Sequence, residues 1–326
     1  MPLRYWLRNA VPRPKRPITD MKQQLRSFLM VLSFIIGGIF HSQISEYGWL
    51  LPYGITVMLT ITFLGLDTAQ LRPRLMHLWV LLALQGVWIV AFAAARLMGN
   101  PALAEAVYYC GAAPIASAAP IIVNLLRGNV GFITTAMVLS QVVFAVLTPF
   151  VLPFIVNSPD LSYTELMLMV ARQIAVVLGI PAVVACALRL LYPACKSWSG
   201  KLKDVSLGIW NFNLIVVSAI GTHRILQMDY SLWDMLPMAL GAVVVCAVGF
   251  LAGYRLGYPE LKRECSQALG QKNTILTLYI AGQSYASPIA YIGPVFYVFC
   301  HNMANAIQLS LAAREQKRCK SASDKN

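Results

Sequence analysis

Apolar residues in this chain gather into runs of about 20, each closed by charges, glycine or proline, with few polar stretches between them. A helix of that length spans the roughly 30 Å hydrocarbon core of a bilayer. Ten windows follow, at roughly 27–44, 48–66, 77–98, 102–126, 131–156, 166–192, 202–226, 233–257, 262–283 and 288–312. Connections such as Ser45-Glu46-Tyr47 leave no room for soluble domains. The ten-residue alternation of a membrane barrel is absent, and lipid offers the backbone no hydrogen-bond partner, so the spans are expected to be helices.

The charged positions then orient the spans. Lysine and arginine concentrate in cytoplasmic loops. With both termini inside, the N-terminal arm 1–26, the even-numbered loops and the polar tail 313–326 hold 22 of the 26 basic residues. Only Arg96 and Arg224 fall on the opposite side, and only Arg172 and Lys272 lie within spans. The tail, rich in charge and poor in apolar residues, is expected to be disordered.

Ten spans form two sets of five. Because five is odd, a second copy of the first set would lie upside down, the inverted-repeat plan of secondary transporters, in which matching interrupted helices build the midplane site. The fourth and ninth windows correspond, and both are interrupted. The fourth carries Pro114 and Pro120 in Ala112-Ala-Pro-Ile-Ala-Ser117-Ala-Ala-Pro120, and the ninth carries Gly270 followed by Gln271, Lys272 and Asn273. Proline removes a donor and disrupts the preceding turn, exposing backbone groups that only a cavity or a neighbour can satisfy. A lysine at bilayer depth costs roughly 2.5–3.5 kcal/mol, so Lys272 should face protein or water.

Composition narrows the function classes. The chain is 58% hydrophobic and 12% charged, more apolar than a soluble core of 326 residues accommodates. The net charge of +13 is explained by orientation, so a nucleic-acid partner is not expected. Seven cysteines lack CxxC spacing, and no nucleotide, metal or hydrolase motif is present, so no enzyme activity, cofactor or metal is expected. No cleavage site follows the first apolar run, which is read as a retained span.

Several stretches resemble the bile acid:sodium symporter family. Ala113-Pro114 through Leu125-Leu126-Arg127-Gly128-Asn129-Val130, continuing to Leu147-Thr148-Pro149, is similar to its fourth and fifth spans, and Phe63-Leu-Gly-Leu66 resembles the end of its second. Gln85 falls where its third span carries a sodium-binding glutamine. The resemblance implies a panel domain of spans 1, 2, 6 and 7 and a core domain of spans 3–5 and 8–10. It further implies that the two broken helices cross, that sodium binds beside the crossing, and that an organic anion binds between the domains.

The departures bear on mechanism. The family's span-4 Ser-Asn pair falls on Ala119-Pro120, its span-5 Ser and Thr ligands on Ile133 and Met137, and its Glu-x-Gly-x-Gln-Asn on Ala268-Leu-Gly270-Gln271-Lys272-Asn273. A one-residue shift would use Gln267 and Gln271 instead, also without the carboxylate. Sodium is held by oxygen ligands, which these replacements remove. The expectation is that the Lys272 ammonium occupies or neighbours the vacated position, with Gln85, Gln271, Asn273 and carbonyls near Pro114–Pro120 accepting its hydrogen bonds. An ammonium in a poorly solvated site can also shed its proton, making Lys272 a candidate coupling group. The alternative is that Lys272 snorkels or pairs structurally with Glu264.

The expected binding set is Lys272, Gln271, Asn273, Gln85, Gln267, Ser117, Pro114, Pro120 and Asn211. Asn211 and Asn213, with Ser206 and Ser218, form a polar stripe that either faces a cavity or bonds neighbouring helices. Glu264 is read as an interfacial partner of Lys262 or Arg263, Asp67 and Glu105 as boundary charges, and His223 and His301 as packing residues. The chain is thus expected to be a secondary transporter of a small organic anion, coupled to protons or sodium, in a bacterial cytoplasmic membrane. The alternatives are a non-transporting receptor or scaffold on the same fold, and an arsenite-type exporter, whose span-4 cysteine position is Ile115 here.

Overall fold

The computed structural model describes residues 20–66, 71–156, 161–227, 230–283 and 286–323, with the side chains of 20–27, 30, 203 and 313–323 left out. The basic arm over 1–19, Asp67 and the last three tail residues lie outside the described residues. Among the described residues the fold is helical, and its sole extended pairing is one two-residue bridge.

Helix α1 (Asp20–Ile39) leads through short turns over 41–50 into α2 (Leu51–Leu64), followed by α3 (Leu75–Leu97). The fourth window is divided between α4 (Pro101–Gly111) and α5 (Ala119–Leu125). Then come α6 (Val130–Ile155), α7 (Tyr163–Leu191), α8 (Lys203–Leu226) and α9 (Leu232–Leu256). The ninth window is divided between α10 (Lys262–Gly270) and α11 (Thr274–Gln283), and α12 (Ile292–Ser323) ends the described chain.

Local signals explain the starts of these helices. Asn100 accepts the Leu103 amide at 2.9 Å with Pro101 opening α4, and Asn129 accepts the Phe132 amide at 3.0 Å to open α6. Ser162 with Glu165, and Ser231 with Asp234, form capping boxes at the heads of α7 and α9. The tail departs from its expected disorder, because α12 continues to Ser323. Ala312, Ala313, Arg314, Glu315, Gln316, Lys317 and Arg318 are strong helix formers and extend a helix already nucleated.

Among the described residues, six helical stretches are long and apolar enough to cross a membrane: His41–Leu64, α3, α6, α7, most of α8, and α9. Their outward faces expose large apolar side chains such as Val90, Phe154, Val183 and Leu190. Such faces suit lipid, and together these helices point to a helical membrane protein.

Packing is densest in two sets of helices, joined by α7, which lies along both α2 and α6. Helix α8 lies along α1 and α2, and α2 packs on α7. In the other group, α9 lies against α10, α3, α4 and α12, while α5 and α10 pack on α6. The α9–α10 contact has an identifiable cause: Gly249 and Gly253 on one face of α9, with Gly257 capping its end, repeat every four residues. A side chain at Gly249 would come within 2.7 Å of the Leu269 carbonyl, and one at Gly253 would collide with the Cys265 backbone. Small residues at this spacing let two helix backbones approach closely.

Candidate functional site

The two helix breaks meet. Ile115 and Lys272 form an antiparallel bridge, in which the Ala116 amide donates to the Gln271 carbonyl at 3.0 Å and the Asn273 amide donates to the Pro114 carbonyl at 2.8 Å. Backbone groups freed by each interruption are thus satisfied by the other, as a dry interior requires. Helix α6 serves the opposite edge of the break. Ser140 Oγ accepts the Ile115 amide at 3.0 Å and donates to the Met137 carbonyl at 2.7 Å, while Gln141 Nε2 reaches the Ile115 carbonyl at 3.4 Å. Tyr297 of α12 donates its hydroxyl to the Gly270 carbonyl at 2.9 Å.

Lys272 is 2% exposed, and its Nζ donates to the Gly111 carbonyl at 3.1 Å. That carbonyl belongs to the last residue of α4, where the peptide dipoles present their negative end and a cation is favoured. The side chain therefore does not snorkel. Nor does it pair with Glu264, which is occupied elsewhere. The buried Glu264 carboxylate accepts the Asn129 amide and presses on Gly128, while Arg263 Nη1 donates to the Leu126 carbonyl at 2.6 Å. Together they clamp the Arg127-Gly128-Asn129 turn, whose Arg127 adopts φ 60°. Glu264 is thus a buried turn clamp and not an interfacial ion-pair partner.

The acceptors expected for Lys272 are differently placed. Gln85 accepts from its own helix neighbour Trp88 at 2.7 Å. Gln271 and Asn273 flank Lys272 in extended chain, where successive side chains point to opposite faces. Gln271 Oε1 and Asn273 Nδ2 are buried without a partner among the described residues. Gln267 is drawn to α12, donating to Asn305 and Gln308 at 2.9 Å each. Pro114 lies buried inside the break, whereas Pro120 sits in the first turn of α5, where proline is tolerated; Pro120 and Ser117 are half-buried.

Four of the positions at which the resemblance places sodium ligands come together as hydrocarbon. Ala119, Ile133, Met137 and Ala268 belong to one buried apolar cluster with Ile115 and Leu269. Lys272, bridged to Ile115 of that cluster, neighbours these positions, and its Nζ lies at the end of α4.

The polar residues outside the crossing take separate places. Asn211 accepts from Ser33 at 3.2 Å and donates to the Leu207 carbonyl at 2.9 Å, which makes it a link between α8 and α1. Asn213, fully buried, presses on Gly54 of α2, and neither of its amide atoms has a partner among the described residues. Glu105 is no boundary charge. It is buried in α4 and accepts the Ser287 amide at 2.7 Å. His301 packs on Tyr297, as a packing residue should, but its Nδ1 is without a partner among the described residues.

A cavity of 430 Å³ opens between the turn preceding α2, the end of α8, α11 and Tyr291. Arg224 lines it, donating to the Tyr291 hydroxyl at 2.8 Å and more weakly to the Gly282 carbonyl at 3.4 Å, with its guanidinium 5.0 Å from the Tyr291 ring centre. The sequence reading missed Arg224, Ser140 and Gln141 as site residues. Adjacent Ser140 and Gln141 inside the apolar run of α6 were the signal available for the latter two. No family model matches the chain, and no curated protein matches it.

Proposed function

We propose that this chain is a secondary transporter that carries a small organic anion across a membrane by alternating access. The observation that carries the reading is the mutual pairing of two helix breaks around a buried lysine, because an interrupted helix is tolerated in lipid only where another part of the protein completes it. In this reading all ten windows cross the membrane, with both termini cytoplasmic, as two inverted sets of five. The breaks at 112–118 and 271–273 then occupy matching places, the fourth segment of each set.

Helices α1, α2, α7 and α8 form the panel, and the remaining helices form the core that carries the crossing, with α6 and α7 joining the two along their lengths. The relation to bile acid:sodium symporters is part of the proposal, as is a bacterial inner membrane. Coupling to sodium at the position used in that family is disfavoured by the apolar side chains that fill it. When protonated, Lys272 supplies a positive charge at the crossing, which attracts an anion without a bound metal ion.

Flux in proteoliposomes tests this, with sodium and proton gradients imposed separately and a panel of radiolabelled carboxylates. Uptake of at least one carboxylate without sodium is expected, and it should fall at least tenfold in Lys272→Met. If no carboxylate moves under either gradient, the reading fails.

A further inference from the structure

His223 and His41 are 182 residues apart in sequence yet face one another through their Nδ1 atoms at 3.3 Å, with ring centres 5.6 Å apart. His223 stands in the last turn of α8, lines the 430 Å³ cavity beside Arg224, and has its Nε2 2.9 Å from the Gln227 amide. We propose that the His41–His223 pair is a proton-binding site that readies this cavity for a carboxylate held by Arg224, so that one proton and one organic anion bind together. The proposal deepens the transport reading by naming the coupling ion and the groups that take it.

Hydrogen-bond capacity sets the proton count. Two ring nitrogens in contact share one hydrogen, with one imidazole donating and the other accepting. One further proton fits on the free Nε2 of whichever ring donates, which leaves the contact intact and adds one positive charge. A second would set N–H against N–H and break the pair, so the closed pair has room for a single added proton. The orientation of the Gln227 amide is interchangeable and suits either tautomer of His223.

The surroundings determine what the added charge does. Arg224 has five N–H donors, and its partners on the core side, a phenol and a backbone carbonyl, are both neutral. Trp49, Tyr279 and Tyr291 give the same cavity aromatic walls, which suit an anion with a flat apolar body. Titratable groups on the packed elements are few. The turn before α2 brings Glu46 and Tyr47, α2 brings Tyr53, α11 brings Tyr279, and the 288–291 turn brings Tyr291. From α12 come Tyr297 and His301, in contact with each other, and Cys300, while α1 brings none over 31–39. Glu46 is the acidic group lining the cavity, and it opposes anion binding until the imidazole proton offsets it. By linkage, a proton that strengthens anion binding is itself held more tightly once the anion is present.

The test uses the full chain in detergent with benzoate as the probe anion, titrated between about pH 8 and about pH 5.5, a range that brackets imidazole titration in general. Affinity should rise roughly tenfold on acidification, within the usual span of linked binding. Calorimetry in two buffers of different ionisation enthalpy should show uptake of about one proton per benzoate near the middle of that range. His41→Gln and His223→Gln should each flatten the pH dependence to within about twofold, and Arg224→Gln should weaken binding at every pH. Benzoate that does not bind, binding without proton uptake in the unaltered protein, or an unchanged pH slope in both histidine variants would each overturn the proposal. Binding is read without flux, so a protein that binds benzoate with a proton but carries nothing across vesicles sinks the transport reading and leaves this site standing.

Discussion

Ile115 and Lys272 pair as the middle residues of two helix breaks, and their side chains share one face of the bridge while those of Gln271 and Asn273 take the other. The bridge ties α4–α5 to α10–α11 through main-chain bonds. It also sends the Lys272 side chain back to the end of α4. The position of the charge is therefore set by backbone geometry, and its removal can be separated from damage to the crossing.

Replacing Lys272 with methionine keeps the length of the side chain and deletes the ammonium. The loss of one charge-assisted bond to Gly111 costs about 1.5–3 kcal/mol. Relief from holding an unpaired charge in a dry interior is of similar size. Thermal unfolding of Lys272→Met in detergent should therefore begin no more than a few degrees below that of the unaltered protein, while anion flux collapses. A variant that unfolds far earlier would mean that the ammonium serves the fold first.

Ser140 satisfies the Ile115 amide, which has no helical partner. Ser140→Ala should leave a buried N–H without an acceptor and cost roughly 1–3 kcal/mol, read as a lower unfolding midpoint. Ser140→Thr keeps the hydroxyl and should recover most of the loss. Equal stability for the alanine and threonine variants would show that the hydroxyl does not hold the break.

Gly128 and Glu264 are expected to be energetically coupled. A methyl group at position 128 would come within 2.7 Å of a Glu264 carboxylate oxygen, which itself takes the Asn129 amide. Gly128→Ala alone should destabilise the turn, and Glu264→Ala alone should do so too. With the carboxylate gone, the added methyl should cost about 1 kcal/mol less, a double-mutant coupling expected only for residues in contact.

Much of this site could be read from the chain, and the remainder has a common cause. Lys272 stood out because it is one charge within an apolar run, and the breaks stood out because proline and glycine mark them. The partner of Lys272 did not, since the Gly111 carbonyl is a backbone group that every residue carries. Glu264 and Asn129 are 135 positions apart, and His41 and His223 are 182 apart, so no local spacing announces either contact. The assignment of Glu105 to a boundary failed for a related reason: its place near the start of α4 suggested solvent, but the Ser287 segment folds back over it. Gly249, Gly253 and Gly257 were legible and went unread, although their four-residue repeat marks a close helix contact.

That repeat supports a final prediction. Close approach of α9 and α10 fixes where α10 ends, and hence where the break at 271–273 falls against 112–118. Gly253 touches the Cys265 backbone, which cannot yield as the tip of a flexible side chain could. Gly253→Ala should therefore force the helices apart, costing about 1–3 kcal/mol as an overpacked core does. Gly86, with nothing near it on α3, makes the matching control, and Gly86→Ala should leave the unfolding midpoint unchanged or slightly higher. Because α10 carries the break, Gly253→Ala should also reduce flux more than its loss of stability explains, measured at a temperature where the variant stays folded. A variant with full flux and a lowered midpoint would separate the glycine contact from the crossing and confine it to folding.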